Sequence, residues 1–249
     1  MSDATPPRTE RRLERLRPAQ INALMDEAPL VFLPLGAVEW HGWHAPVGLD
    51  SLVAHEVCRR AADAVGGIVY PPFYYGMYGS IAANPWTILE EDPAVITGAL
   101  TTTLKRLEES GVKAAVIYSG HFALKQIELL REFHHAWEAQ THVMKLVTLV
   151  GADLPDSPIE PDHGGLFETA LLSVLAPDTL DMDALPTRDE HPGDAPGQPS
   201  NGPQRRDPSH PLFGIMGADP RTLDAAQARD LTDRLMRWIA DQAREAMGR

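Results

Sequence analysis

Residues 30–38, LVFLPLGAV, form an almost unbroken apolar run, and Glu39, His41 and His44 follow directly after it. A strand buried on both faces reads this way, and such strands belong to parallel sheets covered by helices on both sides. Three further runs fit: GIVYPPF at 67–73, KAAVIYSG at 113–120 and VMKLVTLV at 143–150. Apolar positions at helical spacing occupy 18–27, 51–65, 93–110, 123–140 and 166–176. Asp92-Pro93 opens the third of these, an N-cap followed by the residue whose missing N–H costs a helix start nothing. Strand and helix alternate, so the expectation is an α/β chain of βαβ units around a parallel sheet.

The 249 residues are 43% hydrophobic, enough for one sizeable core, and the expected organisation is a single domain over 18–249. The polar, proline-bearing stretch 1–17 is expected to be a mobile arm or an oligomer contact. Residues 186–211, dense in Pro and Gly, read as a long loop within the domain. From Asp219 onward the chain reads as one amphipathic helix, with Leu231, Leu235, Trp238 and Ile239 on one face. A net charge of -13 argues against nucleic acid and anionic membrane as partners. It leaves neutral or cationic small molecules, metal cations or further copies of the chain. The single cysteine, Cys58, excludes an intrachain disulfide and reads as a small buried hydrophobe in the 51–65 helix. No apolar leader and no apolar run of about 18 residues is present. The expected setting is the cytoplasm.

Chemistry concentrates in three segments. Glu39 and His41, two apart in extended chain, point the same way, and Asp50 follows after Pro46 and Gly48, which permit a turn back. Imidazole with carboxylate is a ligand set for Zn²⁺, Mn²⁺ or Fe²⁺. His121 lies just past the third strand, at the sheet edge where open parallel sheets bind ligands. The third segment, DHGGLFET at 162–169, sets His163 before a Gly-Gly turn and Glu168 at a helix start. Each alone has an ordinary reading: loop histidines, a satisfied buried imidazole, a carboxylate complementing a helix dipole. Their joint placement at strand ends is what points to a metal. His134, His135, His142, His191 and His210 lack such neighbours and receive no role.

LPLGAVEWHGWHAPVGLD (33–50) resembles the signature of the creatininase family, in which a strand ends in P-x-G-x-x-E-x-H-G-x-H and an Asp follows. IYSGHF (117–122), HGGLFETALLSVLAPD (163–178) and MGADPRTLDAAQARDL (216–231) resemble later family segments in the same order. The resemblance runs from about Val31 to the last residue. It implies a three-layer α/β/α sandwich with a mostly parallel central sheet, a homo-oligomer, commonly a hexamer, and one or two divalent metals, Zn²⁺ foremost, with Mn²⁺ or Fe²⁺ as alternatives. Carried over, Glu39, His41, Asp50 and His121 match metal ligands, with Asp50 the bridge. Glu168 matches a glutamate near the metals, either a ligand or behind the ligands, and joins His163 as a catalytic candidate. His163 matches a catalytic histidine, and His44 the second histidine of the signature, which supports the ligands. His44, Trp43 and Trp86 are expected around the substrate.

Creatininases carry a further metal-binding glutamate two residues after the histidine matching His121; Ala123 stands there, so that metal position is weak, empty, or completed by Glu168 or water. A tryptophan that closes over substrate is replaced by Ile159, and the family's P-G-T stretch reads Pro85-Trp86-Thr87. The implied activity is hydrolysis of a C–N bond in a small cyclic or linear amide. The bound cation makes hydroxide available by lowering the pKa of water towards about 7, and His163 passes a proton to the leaving group. The N–H groups of Gly164-Gly165 are candidate oxyanion donors. Two alternatives stand beside it: hydrolysis of a C–C bond in a cyclic polyol-derived ketone, and a metal-binding assembly protein without activity.

Overall fold

The computed structural model describes residues 9–79, 83–193 and 203–249. Four parallel strands, β1 (Leu30–Leu35), β2 (Ile68–Val69), β3 (Ala114–Ser119) and β4 (Lys145–Val150), make one sheet in the order β2-β1-β3-β4. Helices α1 (Pro18–Glu27), α2 (Leu49–Val65), α3 (Pro93–Glu109), α4 (Leu124–Glu138), α5 (Leu166–Leu175) and α7 (Ala225–Ala246) surround it, with a short α6 (Pro203–Arg206) near the site.

Alternation along β1 explains why its sequence is apolar throughout. Leu30 and Phe32 face one core with Val116 and Tyr118 of β3, covered by α2, α5 and α7. Val31, Leu33 and Leu35 face the other with Ala115 and Ile117, covered by α3 and α4. Successive side chains point to opposite faces, so a strand between two helical layers must be apolar at every position. This is the three-layer α/β/α fold. Cys58 is fully buried in the first core, and burial holds its thiol far above the usual range. Among the described residues no helix is long and apolar enough to cross a membrane.

Several expectations change. Residues 1–8 of the expected mobile arm lie outside the described residues, but 9–17 are fixed. Arg12 bridges Val69 in parallel, and the buried Arg11 donates to the Gly67 carbonyl and the Glu27 carboxylate. Within the 186–211 loop, 194–202 lie outside the described residues. Arg221 donates to the carbonyls of Pro186, Thr187 and His191, and α6 opens the stretch that leads to the buried Leu212, Phe213 and Ile215. The last helix starts at Ala225, not Asp219. Asp219 caps a 3₁₀ turn at Pro220–Thr222, and Asp224 accepts from the N–H groups of Ala226 and Gln227 to begin α7.

A candidate metal centre at the carboxyl edge of the sheet

Two glycines bring α2 onto the strand ends. A Cβ on Gly36, after β1, would lie 2.2 Å from the Ser51 nitrogen, and one on Gly120, after β3, 2.2 Å from the Asp50 carbonyl oxygen. Asp50, second residue of α2, is thereby fixed between the two strand ends, with the helix dipole favouring its charge. Glu39 arrives four residues past β1, and His121 two past β3.

Each histidine ring is oriented by a carbonyl. A carbonyl only accepts, so His41 Nδ1–H donates to the Glu39 oxygen at 2.9 Å, and His121 Nε2–H donates to the Met77 oxygen at 2.8 Å. The other ring nitrogens face inward. His41 Nε2 lies 2.9 Å from Asp50 Oδ1 and 3.5 Å from Glu168 Oε2. His121 Nδ1 lies 2.9 Å from Glu39 Oε2 and 3.1 Å from Asp50 Oδ2. Asp50 thus presents one oxygen to each imidazole. Two sets of potential ligands result, Glu39/Asp50/His121 and His41/Asp50/Glu168, with the ligand atoms of each set within 4.8 Å of one another. His41 Nε2 and Asp50 Oδ1, both buried, lack hydrogen-bond alignment despite their separation. Buried orphan atoms of this kind, in an all-carboxylate and imidazole set, fit a divalent cation.

A ring of polar groups supports His121. The Met77 N–H donates to Gln126 Oε1, Gln126 Nε2 to Ser119 Oγ, and Ser119 Oγ–H to the His121 carbonyl. Gln126 and Ser119 are fully buried, and such backing fixes ligand orientation. Glu168 is held by the Gly164 N–H at 2.6 Å. Gly164 is required twice: φ is +61°, and a Cβ would lie 2.6 Å from the His41 carbonyl oxygen. The Gly164 N–H, one of the two expected oxyanion donors, is committed to Glu168. Asp162 caps α5, accepting from Phe167 and Glu168 N–H, and burial raises its carboxyl to about 7.

Burial disfavours charge on His41, yet the carboxylates of Asp50, Glu168 and Glu39 outweigh it and lift the ring to about 10. His121 is raised against its burial by Glu39 and Asp50. Burial and the neighbouring His41 hold His163 at about 4, so its imidazole is neutral at pH 7. His163 Nε2–H donates to the Trp40 carbonyl at 2.7 Å, its backbone pairs with Met216, and its ring lies 4.4 Å from that of His41. Nδ1 is left as an acceptor, and His163 also groups with Glu39 and His41 as a potential ligand.

A cavity of about 370 Å³ opens onto the centre; Glu39, His121, Ala123, His163, Glu168 and Arg205 are among its walls. The residues expected around the substrate do not line it. Trp43 and Trp86 point outward, 52% and 75% exposed, and Trp86 holds a left-handed φ of +56°. His44 is buried, with Nε2 at 2.9 Å from Thr169 Oγ1, so it braces α5 beside Glu168; burial lowers it to about 4. Ile159, at the position where creatininases close a tryptophan over substrate, is packed in the first core. The sequence reading did not find Gln126, Met77, Asp162 or Arg205. A buried Gln looks like a surface one in sequence, and Met77 acts through its carbonyl.

The family model for creatininase, creatinine amidohydrolase, matches residues 14–243. This chain belongs to the creatininase family. It is 30% identical over 180 residues to creatinine amidohydrolase of Pseudomonas putida, a match covering 63% of this chain and 68% of the relative. It is 27% identical over 237 residues to the mycofactocin precursor peptide peptidase of Mycolicibacterium smegmatis (strain ATCC 700084 / mc(2)155), covering 86% and 87%. Among solved structures, a manganese creatininase superposes with a TM-score of 0.71 at 26% identity, covering 95% of this chain and 98% of that one.

Proposed function

We propose that this protein is a divalent-metal-dependent hydrolase that cleaves a C–N bond in a small amide. The observation that carries this reading is the pair of ligand sets sharing Asp50, with an unaligned imidazole nitrogen and carboxylate oxygen converging between them. In their support, the family includes creatininase structures with zinc and with manganese. An amidohydrolase and a peptidase among the relatives favour C–N cleavage, while a third relative, the 3-dehydro-scyllo-inosose hydrolase of Thermotoga maritima, 28% identical over 104 residues, is what supports the C–C alternative.

In this reading Glu39, Asp50 and His121 would hold one cation, and His41, Asp50 and Glu168 the other. A divalent cation bound there would supply Lewis acidity, polarising a carbonyl and lowering the pKa of water towards about 7. Neutral His163 accepts a proton at Nδ1 and returns it to the leaving nitrogen, anchored through Nε2–H at the Trp40 carbonyl. His41 and His121 must lose their protons to serve as ligands, so uptake of metal releases protons at pH 7 and tightens as pH rises. Calorimetry in buffers of different ionisation enthalpy checks this; uptake without proton release at pH 7 contradicts it. The sign is opposite for the metal-free fold. The stabilisation from His41 is complete below about 6.5 and lost as pH rises through about 10.

Ala123 lines the cavity beside Glu39 and His121, where a carboxylate would complete the first set. Titration with Mn²⁺ or Zn²⁺ is expected to give one tight and one weak event, the weak one at Glu39/Asp50/His121. Ala123→Glu should tighten the weak event about tenfold or more, the scale on which supporting groups alter metal affinity. Two equally tight events in the wild type argue against this assignment. Turnover of a panel of lactams, formamides and short peptides by the metal-loaded protein tests the activity; hydrolysis of diketones alone would favour C–C cleavage. We also propose a homo-oligomer, with Trp43, Tyr75, Trp86 and Ile88 exposed as apolar contact surface. Light scattering should give a mass well above 27.3 kDa.

A further inference from the structure

Arg205 is the one arginine or lysine among the described residues that line the cavity at the metal centre. Its position is built. The preceding Gln204 is buried, its side chain donates to the Ile215 carbonyl at 2.9 Å, and its own carbonyl accepts from the Gly214 N–H at 2.7 Å. That stretch runs on to Met216, whose backbone pairs with His163 in both directions. One scaffold therefore carries the guanidinium and the proposed proton carrier. Arg205 is half-buried, with Nε out of contact with solvent.

Charge points the same way. The three carboxylates proposed to bind metal, Glu39, Asp50 and Glu168, are outweighed by two divalent cations, and Asp162 is turned onto the backbone of α5. A loaded cavity with Arg205 at its wall attracts anions, although the chain as a whole carries -13. Guanidinium is the group best shaped to grip a carboxylate, through two parallel hydrogen bonds.

We propose that Arg205 anchors a carboxylate of the substrate, so that the substrate is an amide bearing a carboxylate a short distance from the scissile carbonyl. This rests on the metal-dependent reading above, and it replaces the sequence-based expectation of a neutral or cationic small molecule.

The test uses the whole protein loaded with Co²⁺, whose visible spectrum reports ligand binding. Succinate, glutarate and adipate are titrated against butyrate, valerate and hexanoate, which carry a methyl group in place of the second carboxylate, with acetate as the reference for a carboxylate on the metal alone. One dicarboxylate is expected to bind about 10- to 100-fold more tightly than its monocarboxylate partner, the range for a charge-assisted hydrogen bond. Arg205→Gln should abolish that excess and leave Co²⁺ content and acetate affinity unchanged, while Arg205→Lys keeps part of it. Dicarboxylates binding no more tightly than the monocarboxylates, or an excess that survives in Arg205→Gln, overturns the proposal. Absence of any carboxylate binding to the Co²⁺-loaded protein overturns it as well. Failure to take up Co²⁺ at all removes the metal-dependent reading, and this proposal falls with it.

Discussion

Asp50→Ala is expected to empty both halves of the centre together. Each carboxylate oxygen faces a different imidazole, Oδ1 towards His41 and Oδ2 towards His121, so no other side chain belongs to both ligand sets. Metal content after dialysis should fall below about a tenth of wild type, and turnover by about 10³-fold or more, because Lewis acidity and water activation are lost together. Asp50→Asn keeps the shape at the start of α2 and separates loss of ligand from loss of fold. Metal content by elemental analysis, with circular dichroism on the same sample, gives the answer. Unchanged metal in Asp50→Ala would refute the bridging role.

His163→Gln is expected to retain metal and lose turnover by about 10²–10⁴-fold, the usual worth of a general acid–base group. The ring is neutral at pH 7, pinned through Nε2–H at the Trp40 carbonyl, and it faces the cavity beside Glu39. Glutamine keeps a donor for that carbonyl and cannot carry a proton. The rival role is that of a ligand, because His163 also groups with Glu39 and His41. Metal content decides between them: a variant that loses metal makes His163 a ligand. A variant that keeps both metal and full turnover leaves it with neither role.

The sheet was legible because β1, β3 and β4 each follow from apolar runs, and the two-sided burial of β1 leaves no polar position to blur it. The strand after α2 was less so. The expected 67–73 contracts to Ile68–Val69, since Pro71 and Pro72 lack the N–H needed to continue a ladder. At the centre, Glu39, His41, Asp50 and His121 are donor types whose proximity to strand ends can be read from sequence, and Glu168 is one read at a helix start. Whether Glu168 faces His41 and Asp50 depends on the Gly164 turn and could not be. Trp43 and Trp86 misled because tryptophan is read as a pocket or core residue, whereas in this fold Trp40 takes the buried place and donates to the Phe213 carbonyl. Arg205 lies in a Pro- and Gly-rich stretch that reads as featureless, and only tertiary hydrogen bonding gives it an address.

The convergence at Asp50 also bears on how the chain acquires its shape. Glu39 and Glu168 are more than one hundred positions apart, and the groups between them meet only after β1 and β3 are paired and α5 has docked on α2. Such non-local closure is expected to slow folding, because loop entropy is lost before the contacts form. Three buried carboxylates crowd this last junction and oppose it further. The edge proposed to carry the chemistry is therefore expected to be among the last parts of the chain to form.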